Sequence, residues 1–268
     1  MTTRDIMAAG RLPRNESERL LMKVTGRSRA EVIAGVPMDD ELAVAYSTLC
    51  RRRLAGEPLQ YIEGSIPFAL CEIAVDRRVL IPRPETEYLW ELACTLPDES
   101  PSLIVDLCTG SGALAVGLAA VYPEADVVAT DISEDALNLA ADNAKANGQS
   151  VRMFLGDLFE ALPTELAGQI DLLVANPPYV STLEMEELPE EVAGWEPHLA
   201  LAAGSDGLSV LRVLLAGLGD WLRPGGWFFI EVGSGHAAAA LDLLPDTVSG
   251  QIRRDLTGRD RYLVGQRL

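Results

Sequence analysis

A chain of 268 residues is long enough to bury one full α/β core and still carry a small second domain. Its composition, 48% apolar and 23% charged, is that of an ordinary soluble globular protein, and 40 acidic residues against 22 basic ones leave a formal charge of −18. That field repels polyanions, which counts against work on bare DNA or RNA and favours a protein or small-molecule partner, although net charge does not describe any single face.

In chain order, roughly the first 60 residues read as helices. Glu18, Arg19 and Lys23 alternate with Leu20, Leu21 and Val24, and residues 40–54 repeat the pattern with Leu42, Ala45, Leu49 and Leu54. Pro37 and Gly56-Glu57-Pro58 punctuate this region. Residues 65–80 read as extended, with Phe68, Leu70, Ile73 and Val75 near a two-residue period, a hairpin-like linker between two domains. Pro82 and Pro84 stiffen the next turn, and a helix follows over 86–96, with Thr86 as its cap and Glu85 and Glu87 favouring its first turn.

From Leu103 the pattern changes to strand then helix, repeated. Strands are predicted at 103–107, 126–130, 151–155, 172–175 and 227–232, and helices at 113–121, 133–147 and 209–222. Ser133 is the expected N-cap of the second of these helices, and Arg223-Pro224-Gly225-Gly226 the stop signal of the third. The tail 252–266 holds two further strands around Gly258. Such alternation predicts a mostly parallel, Rossmann-like sheet with helices on both faces.

Cys50, Cys71, Cys94 and Cys108 form no C-x-x-C pair, and with only His198 and His236 beside them a zinc site is not expected. Free thiols fit a reducing compartment. Residues 1–19 contain no apolar signal core, and no run approaches the ~20 apolar residues that span a membrane. The expectation is a soluble, cytoplasmic protein.

In Asp106-Leu107-Cys108-Thr109-Gly110-Ser111-Gly112 a strand runs into a glycine turn at a helix start. Gly110 and Gly112 let backbone approach a ligand closely, and free N–H groups there can face a carboxylate or phosphate. Asp131 ends the next strand, where a carboxylate can take both hydroxyls of a ribose, as the acidic residue of a dinucleotide fold does ~20 positions after its glycines. A nicotinamide enzyme is therefore a rival reading. Two details favour S-adenosylmethionine. Asp106 precedes the glycines, within reach of a methionyl amino group through the loop or water, and Asp157 can accept from an adenine amino group between the apolar walls of Leu158 and Phe159.

Asn176-Pro177-Pro178-Tyr179 follows the apolar strand 172–175, at the carboxyl edge of the sheet. An amide nitrogen is a poor nucleophile because its lone pair is delocalised into the carbonyl. The side-chain oxygen of Asn176 can accept one of its N–H bonds and the carbonyl of Pro177 the other, presenting the nitrogen in line with a sulfonium methyl. Pro177 and Pro178 stiffen the loop, and the Tyr179 ring offers a face for stacking. The motif works by positioning and electrostatics and needs no general base.

These residues resemble the HemK/PrmC family, the glutamine N5-methyltransferases of peptide-chain release factors. The resemblance runs through Gly56-Glu57-Pro58, Leu80-Ile81-Pro82-Arg83-Pro84-Glu85-Thr86-Glu87, the 106–112 turn, Asp131-Ile132-Ser133 and Asn176-Pro177-Pro178-Tyr179. It continues through Glu196-Pro197, Asp206-Gly207-Leu208, Glu231-Val232-Gly233 and Gly258-Arg259-Asp260-Arg261. The Pro-Arg-Pro-Glu-Thr-Glu stretch discriminates, because Asn-Pro-Pro-Tyr is shared with adenine N6-methyltransferases and a sister enzyme acting on a ribosomal-protein glutamine differs there. The resemblance implies a class I methyltransferase domain over 81–268, a hairpin-like linker over 65–80, and a helical domain over 1–64 that docks the release factor. It implies that Cys108, Thr109, Gly110, Ser111, Gly112 and Asp131 hold S-adenosylmethionine, whose product is S-adenosylhomocysteine. Leu158 would line the adenine pocket beside Asp157, with Asn176, Pro177, Pro178 and Tyr179 on the substrate glutamine. It further implies a border of the substrate channel at Pro82–Glu87. The chain is expected to act as a monomer without direct nucleic-acid binding. Cys108 departs from a common glycine, His236 from an expected glutamine, and Leu158 from a ring present in some relatives. The competing readings are adenine N6-methylation, methylation of a ribosomal-protein glutamine, a nicotinamide oxidoreductase, and a cofactor-binding module without turnover.

Overall fold

The computed structural model describes residues 1–8 and 12–268. These form two compact units, Met1–Ser65 with Pro189–Trp195, and Ile66–Leu188 with Glu196–Leu268.

The first unit is helical: α1 (Thr3–Ala8), α2 (Arg14–Thr25), α3 (Arg29–Ala34), α4 (Asp40–Leu54), α5 (Leu59–Glu63) and, from far along the chain, α10 (Glu190–Ala193). Local chemistry sets its helix ends. Ser28 and Glu31 form a reciprocal capping box on α3. Asp39 accepts from the Leu42 N–H to open α4, whose last turn carries Arg51, Arg52 and Arg53 against the negative end of the helix dipole. Leu20 of α2 packs with Cys50, Leu59 and Ile62, and Leu21 with Val32 and Met38. The buried Glu18 accepts from Arg14 at 2.9 Å and Arg29 at 2.8 Å. Arg53 pairs with Glu16 at 2.8 Å and Glu191 at 3.2 Å, which joins the distant α10 segment to these helices.

The chain enters the second unit through a hairpin, β1 (Ser65–Phe68) and β2 (Cys71–Ala74). It continues through α6 (Pro84–Thr95), β3 (Leu103–Leu107), α7 (Ala113–Val121), β4 (Asp126–Asp131) and α8 (Glu134–Ala146). Then come β5 (Arg152–Leu155), β6 (Ile170–Ala175), α9 (Thr182–Met185), α11 (Ser209–Trp221), β7 (Leu222–Glu231), α12 (Ala237–Asp242), β8 (Val248–Arg254) and β9 (Asp260–Arg267).

The extended stretch expected over 65–80 stops at Ala74, and Asp76 pairs with Arg78 at 2.6 Å in the turn beyond. The hairpin is anchored by α8. Asn143 accepts from Ala74 N at 2.8 Å and donates to Ala74 O at 3.0 Å, and Asn147 accepts from Glu72 N at 3.1 Å and donates to Glu72 O at 2.9 Å. Two amide side chains one helical turn apart thus satisfy a strand edge as a neighbouring strand would.

Among the described residues the main sheet has seven strands in the order β5-β4-β3-β6-β7-β9-β8. The first five are parallel, and β9 pairs antiparallel with both β7 and β8. β3 and β6 are neighbours, with Leu107 beside Ala175, so the strand order reverses between them and opens a crevice at their carboxyl ends. Every residue of β3 is buried, as a two-faced parallel strand requires. Leu211, Leu214, Leu215 and Leu218 of α11 cover one face, in one cluster with Phe228 and Ile230 of β7. β7 begins earlier than the predicted 227–232. Leu222 pairs with Ile170 and Trp227 with Leu172, so the Arg-Pro-Gly-Gly stop signal is a bulge inside the strand.

Candidate active site

At the crevice, Asp106, one residue before the end of β3, is fully buried. Its Oδ2 accepts from the Thr109 hydroxyl at 2.6 Å and the Ala115 N–H at 3.1 Å, while Oδ1 has no protein partner. Burial pushes its carboxyl up to about 7. The Thr109 N–H donates to Thr130 O at 2.9 Å, closing the turn against β4. Asn143 also donates to Ser111 O at 2.8 Å, so the side chain that holds the hairpin holds the glycine turn too.

The two glycines have different tasks. A Cβ on Gly110 (φ 55°) would meet no atom within 4 Å, which leaves open space for a ligand. A Cβ on Gly112 (φ 80°) would meet Ala140 Cβ at 3.0 Å, so this glycine lets α7 start against α8. Cys108 is left-handed as well, at φ 60°, a strain of about 1–2 kcal/mol for a residue with a side chain. Its thiol packs on the core and is pushed up strongly by burial, first, and then by Asp131, Asp106 and Asp157, so it is a neutral packing group.

Asp131 binds the turn directly: Oδ2 accepts from Gly110 N at 2.8 Å and Oδ1 from Ser133 N at 2.9 Å. Each oxygen keeps a lone pair for a further donor. Burial raises its carboxyl. Ser133 caps α8 through the Ala136 N–H, as its position predicts. After β5 the chain turns at Asp157 into Leu158, buried and also left-handed at φ 46°.

Asn176, just past β6, donates from Nδ2 to the Thr86 hydroxyl at 3.1 Å. Thr86 donates in turn to Glu231 Oε2 at 2.9 Å, and the Tyr179 hydroxyl to Glu231 Oε1 at 3.4 Å. Thr86 is therefore not the cap of α6. Arg83 occupies the N-cap position with Pro84 after it, and the threonine faces a buried carboxylate instead. Burial pushes Glu231 up to about 7 against the lowering influence of Thr86 and Arg261. The Arg261 guanidinium lies over the Tyr179 ring at 5.9 Å, so one face expected to be open for stacking is already taken. Most of the polar groups of Pro82–Glu87 are engaged within the fold. Arg83 pairs with the buried Glu196 at 2.5 Å, Glu85 O accepts from the Tyr262 hydroxyl at 2.9 Å, and Glu87 accepts from Ala69 N at 2.8 Å.

One cavity of about 240 Å³ gathers most of the predicted residues. Cys108, Thr109, Gly110, Ser111, Asp131, Asp157 and Leu158 line it, together with Asn176 and Pro178. Pro82 and Thr86 line it as well, which puts the Pro82–Glu87 stretch at its wall. Asp106, Gly112, Pro177 and Tyr179 are not on that wall. Sequence reasoning missed Glu231 as part of the site, and it read Thr86 as a helix cap at the channel border rather than as the partner of Asn176. Both lay in quoted motifs, but 86, 176 and 231 meet only through the fold.

The donors fit a nucleoside bearing an amino acid. Thr130, whose Oγ1 is buried without a protein partner, lies on the cavity wall, Gly110 leaves an open cradle, and Leu158 supplies an apolar wall. A mostly parallel sheet in which β9 alone runs antiparallel, with such a pocket at its switch point and the Asn-Pro-Pro loop beside it, defines a class I S-adenosylmethionine-dependent methyltransferase.

Comparison with known proteins narrows the class. Residues 91–191 match the model of the methyltransferase small domain and residues 3–64 that of the PrmC N-terminal domain. The release factor glutamine methyltransferase of Bordetella pertussis is 40% identical over 267 residues, covering 98% of both chains. That of Geobacter sulfurreducens is 38% identical over 257 residues, 94% of this chain and 89% of its own. Among solved structures, a methyltransferase from Pyrococcus furiosus aligns with a TM-score of 0.54 over 73% of this chain and 88% of its own, at 18% identity, a likeness of fold alone. The chain belongs to the release factor glutamine methyltransferase family. That membership disfavours the adenine, ribosomal-protein and nicotinamide readings. Among the described residues no helix is long and apolar enough to cross a membrane, and no group of three or more His, Cys, Asp or Glu side chains could hold a metal.

Proposed function

We propose that the chain methylates N5 of the glutamine in the Gly-Gly-Gln motif of peptide-chain release factors, with S-adenosylmethionine as donor. The observation that carries this reading is Asn176 on the cavity wall with its Nδ2 engaged by Thr86, which leaves Oδ1 as the acceptor for a substrate amide.

When bound, S-adenosylmethionine supplies an electrophilic methyl group on a sulfonium. Cys108, Thr109, Gly110, Ser111 and Gly112 would hold its methionyl part, with the buried Asp106 acting on the amino group only through the loop or a water. Asp131 would hold the ribose, and Asp157 and Leu158 the adenine. Asn176 borders both ligands. Its Oδ1 accepts one N–H of the substrate amide and the Pro177 carbonyl accepts the other, which fixes the nitrogen with its lone pair toward the methyl. Oriented acceptors of this kind act by proximity and by stabilising the charge that grows on nitrogen. The donor would supply the methyl group to the nitrogen and leave as S-adenosylhomocysteine, and the surplus proton would pass to water, so no side chain needs to act as base. Pro178 and Tyr179 complete the substrate-side loop.

The helical unit fits a docking role for the release factor, and the acidic field of the chain fits a protein partner better than a polynucleotide. The reading includes a monomer working in the cytoplasm. Tritium transfer from labelled S-adenosylmethionine to a purified release factor tests it. Transfer should vanish when the Gly-Gly-Gln glutamine is replaced, and equal labelling of that variant would overturn the assigned substrate.

A further inference from the structure

Residues 86, 176 and 231 are brought together by α6, the loop after β6 and the end of β7. Glu231 is only 2% exposed, and placing a carboxylate there costs several kcal/mol unless its surroundings compensate. Thr86 and Glu85 face it from α6, Tyr179 from the acceptor loop, and Arg261 and Tyr262 from β9. Arg261 is the cation of this group. Asp255 Oδ2 lies 4.0 Å from its Nε and shares its charge.

We infer that Glu231 is a positioning residue whose charge sets the direction of hydrogen bonding in the acceptor loop. A carboxylate only accepts. A threonine hydroxyl that donates to it has only its own oxygen left, and a lone pair there takes a donor. Asn176 must therefore turn its NH₂ toward Thr86 at 3.1 Å, and its Oδ1 is kept as the acceptor for the substrate amide. Protonating Glu231 places a donor on the carboxyl and frees the Thr86 proton to point at Asn176. The asparagine then satisfies Thr86 best with its oxygen, presents NH₂ to the substrate and loses its grip on the amide. The Tyr179 hydroxyl, on the other oxygen of Glu231, ties the end of the same loop to the same charge. The inference rests on the reading of Asn176 as holder of the substrate amide.

Two measurements test it. The first needs no turnover: the Asn176 side-chain NH₂ resonance, assigned by its loss in Asn176→Ala, is followed by NMR against pH. It should move with a midpoint near the value to which burial pushes Glu231, about 7, and stay fixed over that range in Glu231→Gln. An identical titration in Glu231→Gln overturns the inference and assigns the midpoint to Asp106, which burial sends to about the same value. The second is kinetic, at saturating donor and release factor. Thr86→Val keeps the shape and removes the hydroxyl, and kcat should fall on the order of a hundredfold while KM and S-adenosylhomocysteine affinity stay near wild type. Thr86→Ser should restore most of the rate. Wild-type kcat in Thr86→Val overturns the inference and leaves the proposed reaction standing. An NMR titration that behaves as expected in a protein that methylates no release factor supports the relay and overturns the reaction.

Discussion

The side-chain amide of Asn176 donates to the hydroxyl of Thr86 at 3.1 Å, linking positions 90 residues apart in the chain. The same threonine donates to Glu231 at 2.9 Å, so the residue proposed to hold a substrate amide is itself held by a chain of oriented groups. Asn176→Ala removes the first acceptor and should lower kcat on the order of a hundredfold, a usual cost of losing one oriented group in such a site. Thermal unfolding should change little, because Asn176 is only half-buried at a cavity. A kcat within a few-fold of wild type would deny the asparagine its role.

Asp131 binds two backbone N–H groups on different elements, Gly110 and Ser133. Asp131→Ala leaves both donors without that acceptor, which should cost about 1–3 kcal/mol of stability each where they stay dry. It should also weaken S-adenosylmethionine binding measured by calorimetry, since the glycine turn loses its tether and the ribose the acceptor proposed for it. Unchanged affinity would separate Asp131 from the donor site.

Much of this arrangement was readable from sequence because its cause is local. The buried strand 103–107, the glycine turn and the Ser133 cap each follow from neighbouring residues. The hairpin was legible as an extended run, but its anchorage was not. Asn143 and Asn147 read only as polar positions on a helix, and their bonds to Ala74 and Glu72 appear once α8 lies beside β2. Thr86 shows the same limit. A threonine near a helix start suggests a cap, and a buried glutamate 145 positions away made it something else. Gly112 reads in the sequence as a close approach to a ligand, whereas the neighbour that demands a glycine there is Ala140 of α8.

Stability should depend on pH in two windows. Burial raises Asp106 and Glu231 to about 7, so the folded state binds their protons more readily than the unfolded chain does. Their contribution is complete below the ordinary carboxylate range and is lost as pH rises from about 4 to about 7. Asp171, lowered by Arg223 and two backbone N–H groups against the opposing effect of burial, acts oppositely and loses its contribution as pH falls below that range. Urea unfolding of the ligand-free protein should show the falling arm between about 4 and 7, flattened in Asp106→Asn and in Glu231→Gln. A falling arm of wild-type steepness in both variants would contradict this assignment.

The four thiols should resist alkylation in the native protein near neutral pH. Cys50 and Cys71 are buried, burial pushes Cys94 up to about 11, and Cys108 is raised further by burial and three neighbouring aspartates. Because the thiolate is the reacting form, labelling should be slow until the chain is unfolded. Rapid labelling of Cys108 in the folded state would mean that the left-handed turn opens far more often than its bonds to Asp106, Thr130 and Asp131 allow.

The central claim is that a methyl group passes to one glutamine side chain of a release factor held against Asn176. Peptide mapping by mass spectrometry, after incubation of the purified protein with S-adenosylmethionine and a release factor, tests it most directly. The account predicts a gain of one CH₂ on the Gly-Gly-Gln peptide, localised to the glutamine side chain and absent with Asn176→Ala. A methyl group at another residue, or none while the protein binds S-adenosylmethionine and the release factor, would contradict it.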